Sequence, residues 1–320
     1  MFWLAVGGRV MFLVCGEALF DLFLESEEGP ASALYAARAG GSPFNVAIGL
    51  ARLGEASGLL TGLSTDLLGQ RLSAVLEAEG VSTAYAVATD RPTTISLVGL
   101  DTAGVPAYQF YKNGSADTGV APADLPALGP EVSGLHFGSY SLAAAPVADA
   151  FAALAGRERS RFITLDPNVR PTVEPDMDVW RERLARLYPL ATLVKISAED
   201  LALLHPGKTA EAFAADLVGE GVALVVVTDG GEAALGWTAS GHHAMATPPK
   251  TKVVDTVGAG DTFQAALIAQ LLHADEGPKA SLAALEADSL RGLLAFAARA
   301  AAITCSRRGA DLPRLAELTE

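Results

Sequence analysis

The sequence predicts an α/β fold of three layers, with a mainly parallel central sheet flanked by helices and a small β-sheet lid. Three observations carry this expectation. Candidate strands at 134–137, 161–165, 192–196 and 223–228 recur about every 30 residues, which is the spacing of right-handed βαβ units. The run Leu224-Val225-Val226-Val227 is apolar without alternation, as suits a strand covered on both faces. The chain has 320 residues, 50% of them hydrophobic, enough to bury the core of one large α/β domain with an insertion or of two modest domains.

The elements follow in order. Residues 1–10 are read as a disordered lead, with Met11 as the true start; the apolar opening is interrupted by Gly7, Gly8 and Arg9, which does not suit a membrane span. Residues 10–15 form the first strand. Segments 19–24, 93–100 and 107–111 depart from the βα rhythm and read as strands joined by turns, with Asp101-Thr102-Ala103-Gly104 as a hairpin connection. They define the lid, residues 19–35 and 92–118. The core is then 11–18, 36–91 and 119–320. An ordinary β extension that only stabilises the fold is the competing reading of the same segments. Between the first strand and the hairpin, Gly40-Gly41-Ser42-Pro43-Phe44-Asn45 leads into an apolar helix: Ser42 suits the N-cap, Pro43 the first helical position and Gly54 the end. Pro146 opens a helix whose core face is Val147, Ala150, Phe151 and Leu154. After each later strand comes a polar loop: Asp166-Pro167-Asn168-Val169-Arg170, then Ser197-Ala198-Glu199-Asp200, then Thr228-Asp229-Gly230-Gly231. Ligands of open parallel sheets collect beyond these strand ends. The Ala-rich stretch 280–302 reads as packed helices.

The most specific signal is Asp255-Thr256-Val257-Gly258-Ala259-Gly260-Asp261, running into Phe263, Ala266 and Leu267 at helical spacing. Gly258 and Gly260 let the backbone approach an anion, and the first N–H groups of the following helix lack intrahelical partners. The helix dipole adds partial positive charge there. A carboxylate among anion-binding donors is suited to taking a proton from an attacking hydroxyl, which gives Asp261 a role in phosphoryl transfer. The string is neither a Walker loop nor a dinucleotide fingerprint.

The string D-T-V-G-A-G-D-T-F resembles the C-terminal signature of the ribokinase-like (PfkB) carbohydrate kinases, and Gly40 to Gly54 is similar to their N-terminal signature, about 215 residues upstream. The resemblance implies the ribokinase-like fold and ATP-dependent transfer to a sugar hydroxyl. It implies Asp261 as the base, Gly258, Ala259 and Gly260 as an anion hole, and Asp21, Gly40, Gly41 and Asn45 as sugar contacts. Asp21 otherwise reads as a solvated strand-end residue. Asp255 matches a position associated with a monovalent cation, K+, or else caps the turn. Thr228 and Gly230 resemble a T-x-G near the ATP phosphates, and Lys195 either neutralises phosphate charge or snorkels from a strand end. The family's N-x-x-E magnesium motif lacks its Asn here, leaving Glu199 as the counterpart; Mg2+ is implied by ATP chemistry. The D-P-N-x-R and K-I-S-A-E-D runs and the late C-S-R-R-G-A most resemble fructokinases, with Arg170 and Lys112 as contacts to substrate. Kinases of 2-keto-3-deoxygluconate, ribose or nucleosides are the alternatives, and a sugar-binding pseudokinase is the non-enzymatic one. The family also implies a homodimer through the lid.

Charge and cysteine content agree. A net charge of −14 argues against nucleic acid as a partner. Cys15 and Cys305 are too few for a disulfide framework or zinc cluster, which points to a reduced cytoplasmic compartment. No segment reads as a membrane span or cleavable signal, and the five histidines show no transition-metal spacing.

Overall fold

The computed structural model describes residues 10–100, 106–274 and 276–318. Its described strands are β1 Met11–Cys15, β2 Leu19–Gly29, β3 Ser32–Gly40, β4 Ser57–Leu60, β5 Gly62–Ser64, β6 Val87–Thr89, β7 Thr94–Leu100, β8 Pro106–Tyr111, β9 Val132–Gly138, β10 Phe162–Asp166, β11 Leu193–Ser197, β12 Leu224–Asp229, β13 Ala233–Thr238 and β14 His243–Ala246. The helices are α1 Ser42–Arg52, α2 Leu67–Ala78, α3 Val147–Arg157, α4 Met177–Leu187, α5 Ala198–Leu204, α6 Ala210–Gly219, α7 Ala259–Leu272, α8 Pro278–Ala283 and α9 Ala287–Cys305.

An eight-stranded sheet runs β14-β13-β12-β11-β10-β9-β1-β4. It is parallel from β4 through β12 and turns antiparallel at β13 and β14. Side-chain alternation divides its two faces. Phe12, Val14, Leu59, Phe162, Leu224 and Val226 point to the layer that contains α1, α2, α7 and α9. Leu13, Cys15, Leu60, Ile163, Val225 and Val227 point to the layer of α3, α4, α5 and α6. Leu224 to Val227 therefore has no polar face because both faces are covered.

A separate four-stranded sheet has the order β3-β2-β7-β8. β2 and β3 pair antiparallel, β2 and β7 parallel, β7 and β8 antiparallel. β3 extends this sheet to Gly40, so the sheet reaches five residues past the boundary expected at 35. Its Ala-rich sequence hid it: Ser-Ala-Leu-Tyr-Ala-Ala-Arg-Ala-Gly has no β-branched residue, and β-propensity alone gives little sign of a strand. The expected hairpin turn at 101–104 and all of the lead except Val10 lie outside the described residues.

Helices α1 and α7 pack side by side, and one glycine sets their separation. A Cβ on Gly49 would lie 2.8 Å from Ala265 Cβ and 2.6 Å from a Leu312 methyl. One turn earlier on each helix stand Asn45 and Asp261. The close approach at Gly49 thus brings the two helix starts, one from each end of the sequence, to a single point.

Candidate active site

Both helices begin in the same cavity, of about 470 Å³. At its centre Asp261, in the first turn of α7, is 6% exposed. Each of its carboxylate oxygens is held from α1: Ser42 Oγ donates to Oδ1 at 2.6 Å and Asn45 Nδ2 to Oδ2 at 2.8 Å. Burial raises the Asp261 pKa above the ordinary carboxylate value, while these two donors pull it down.

The start of α1 differs from the sequence expectation. Gly41 is the N-cap, at φ +112°, and Ser42 and Pro43 are the first two helical residues. Ser42 is therefore not the cap, and its hydroxyl donates to Asp261 instead. A Cβ on Gly41 would come 2.8 Å from the Glu17 carbonyl oxygen, so the chain here tolerates neither a side chain nor an ordinary φ.

At the start of α7, Gly258 adopts the left-handed conformation at φ +80°, and a Cβ there would meet Ala310 Cβ at 2.6 Å. The N–H of Ala259 donates to Thr256 O at 3.2 Å within the turn, and that of Thr262 to Gly258 O at 2.8 Å. The N–H groups of Gly258, Gly260 and Asp261 make no backbone bond to the described residues outside the helix. Asp255 accepts from Val257 N at 3.1 Å and Gly309 N at 2.8 Å, so its carboxylate fixes the turn.

Of the residues singled out in the sequence, Asp21, Gly41, Asn45, Arg170, Gly258, Gly260 and Asp261 line the cavity. Gly40 lies just behind it, where a Cβ would be 2.9 Å from Asp21 Oδ2. Arg170 donates to the carbonyls of Asn168 and Val169. Lys112, Ala259, Thr228, Gly230 and Asp255 do not line the cavity. Thr228 stands at the end of β12 beside Ser197, and Gly230 is exposed in the following turn at φ +45°. Lys195 is not a snorkelling residue: it is 4% exposed and pairs with Asp166 at 2.8 Å. Its ammonium lies 3.2 Å from where a Gly260 Cβ would stand, directly behind the α7 turn. Glu199 is exposed in the first turn of α5, whereas its neighbour Asp200 is buried and accepts the N–H of Val169 at 3.1 Å.

The sequence reading had Asn168 only as part of the loop after β10, and did not single out Glu17, Ser139 or Tyr140 on the cavity wall. Ser139 and Asn168 are the non-glycine residues of positive φ among the described residues, at +59° and +41°. Strained backbone of this kind persists where a site over-determines it. Tyr140 donates to Asp117 Oδ2 at 2.6 Å, and Ser115 and Thr94 donate to Asp117 Oδ1. This buried carboxylate joins the β7 end of the small sheet to the core.

Residues 11–317 match the model of the pfkB family carbohydrate kinases. The chain belongs to the PfkB family of carbohydrate kinases. It is a phosphotransferase acting on a sugar hydroxyl. The chain is 39% identical over 282 residues to a fructokinase of Rhizobium leguminosarum bv. trifolii, covering 88% of this chain and 86% of that one. Among solved structures, fructokinase from Xylella fastidiosa with bound ATP has a TM-score of 0.89 at 26% identity, with 97% of each chain covered. A double mutant of fructokinase from Vibrio cholerae O395, in its fructose, ADP and potassium bound form, has a TM-score of 0.82 at 25% identity, again with 97% of each chain covered. Among the described residues, no helix is long and apolar enough to cross a membrane.

Proposed function

We propose that the protein is an ATP-dependent fructokinase in which Asp261 removes the proton of a primary sugar hydroxyl as it attacks the γ-phosphorus. The observation that carries this reading is the joint hold of Ser42 and Asn45 on the Asp261 carboxylate, at 2.6 and 2.8 Å, beside the unbonded N–H groups of the α7 start. Donors that favour the ionised form keep a buried aspartate able to accept a proton. The N–H groups of Gly258 and Gly260 face the charge that develops on the transferring phosphoryl, with Ala259 supporting the turn between them. Lys195 adds positive charge from behind that turn, and its pairing with Asp166 holds it there. Thr228 and Gly230, at the end of β12, take the nucleotide phosphates.

Asp21, Asn45 and Arg170 bind the sugar hydroxyls, with Gly40 and Gly41 allowing close approach and Lys112 reaching in from the strand end after β8. The four-stranded sheet, whose Leu19, Asp21, Phe23 and Phe110 wall the cavity, serves as the lid, excluding water that would otherwise compete for the phosphoryl group. It also pairs with the lid of a second copy in a homodimer. Mg2+ neutralises charge on the phosphates of ATP when bound. Such an ion is carried chiefly by the nucleotide and water. Asp255 is the residue we assign to K+, its carboxylate supplying negative charge beside the turn it fixes. The two free thiols, Cys15 and Cys305, suit a reduced cytoplasm.

The test is ATP consumption by purified protein with fructose, ribose, 2-keto-3-deoxygluconate, adenosine and fructose phosphates, with and without potassium. Fructose is expected to give the highest kcat/KM. Consumption that none of these acceptors increases would overturn the assignment.

A further inference from the structure

Among the carboxyl groups that wall the cavity, Glu17 is 2% exposed, and its Oε2 makes no hydrogen bond to the described residues. Its other oxygen accepts the N–H of Ser42, the first residue of α1, at 3.3 Å. The same Ser42 holds Asp261 through its hydroxyl. Of the groups around Glu17, the Ser139 side chain bonds to it and lowers its pKa, whereas Asp117 and Arg170 have other partners. Asp117 already accepts from Thr94, Ser115 and Tyr140, and Arg170 donates to backbone carbonyls. A buried polar atom with spare capacity, on the wall of a cavity already lined by Asp21 and Asn45, calls for a ligand group that completes it.

On the fructokinase reading above, we infer that Glu17 is a further substrate-binding residue, whose Oε2 exchanges a hydrogen bond with one hydroxyl of an uncharged polyol while Oε1 anchors the start of α1. Burial raises its pKa to about 8, with Asp117 adding to the rise and Ser139 and Arg170 opposing it. Burial therefore favours the carboxylic acid over the carboxylate. The acid both donates and accepts, as a sugar hydroxyl does. The titratable and charged groups facing the site are Asp117 and Tyr140 from the chain flanking the small sheet and β9, Arg170 after β10, Asp21 on β2 and Asp261 on α7.

The experiment compares wild type, Glu17→Gln and Glu17→Met, with KM measured separately for sugar and ATP and with a series of monodeoxyfructoses as acceptors. Glu17→Met should raise the sugar KM at least tenfold and leave the ATP KM within about twofold, while Glu17→Gln, whose amide also donates and accepts, should raise it by about threefold. For one deoxy analogue the loss from the missing hydroxyl and the loss from Glu17→Met should not multiply. An unchanged sugar KM in Glu17→Met, an equal rise in the ATP KM, or multiplicative losses for every analogue would overturn the inference. If Glu17→Met does not fold, the pH dependence of wild type against Glu17→Gln decides: their sugar KM values should diverge as pH rises through about 8, and parallel profiles would count against Glu17. Lack of acceptor-dependent ATP consumption in wild type would sink both the fructokinase reading and this inference, whereas normal wild-type turnover with an unaltered Glu17→Met would sink the inference alone.

Discussion

Replacing Ser42 by alanine removes one of the two donors that hold the Asp261 carboxylate and changes little else in volume. The bond is 2.6 Å long, its acceptor is a carboxylate, and Ser42 and Asp261 are each 6% exposed. Hydrogen bonds to charged groups contribute about 1.5–3 kcal/mol. Because this one favours the ionised form, its loss makes Asp261 a stronger proton holder. A base must be deprotonated to work, so the acid limb of kcat moves toward higher pH, and turnover measured on that limb falls about 10- to 150-fold. Above the limb, where the aspartate is ionised in both proteins, the difference shrinks. The assay is a full pH profile of kcat at saturating sugar and ATP for wild type and Ser42→Ala. An acid limb at the same pH in both would refute the claim that Ser42 tunes the base, and a uniform loss at every pH would assign Ser42 to positioning instead.

Two more outcomes concern stability. Lys195→Met leaves Asp166 as a buried carboxylate without its partner, so the unfolding free energy should fall by about 3–5 kcal/mol, read from the denaturation midpoint in guanidinium; a loss below about 1 kcal/mol would show that the pair is not buried in solution. Glu17 has a folded pKa raised from 4.5 to about 8. The folded state therefore holds the extra proton between those values, and stability from this group is complete below about 4.5 and lost as pH rises through about 8. Glu17→Gln should abolish that loss, gaining up to about 5 kcal/mol over wild type above pH 8, as measured by chemical unfolding from pH 5 to 9. A difference that does not grow across this range would contradict the buried acid.

The parts of the fold that were legible in the sequence are those in which local pattern and burial agree. The apolar run of β12 is covered on both sides and reads as such. The strands ending at Asp166, Ser197 and Asp229 announce themselves through the polar loops that follow. β3 was hidden because alanine and glycine carry no strand signal, and β13 and β14 because they are an antiparallel edge added after the βα rhythm stops. In the site, glycine strings marked both helix starts, but the role of Ser42 was misread. A serine before Pro is a sound N-cap by local rules, and only a tertiary contact across 219 residues redirects its hydroxyl. Glu17 carried a usable signal, an acidic residue directly after Gly16 at a strand end, yet its burial and open oxygen are visible only in three dimensions. The positive φ of Ser139 and Asn168 likewise has no sequence signature beyond the tolerance of Asn for that region.

The most direct measurement is single-turnover phosphoryl transfer by Asp261→Asn, paired with calorimetric titration of the sugar. An asparagine fills the same space and cannot take the proton. Phosphoryl transfer should slow by about 10²- to 10⁴-fold, while the sugar dissociation constant stays within about threefold of wild type. Transfer at close to the wild-type rate would show that Asp261 is not the base.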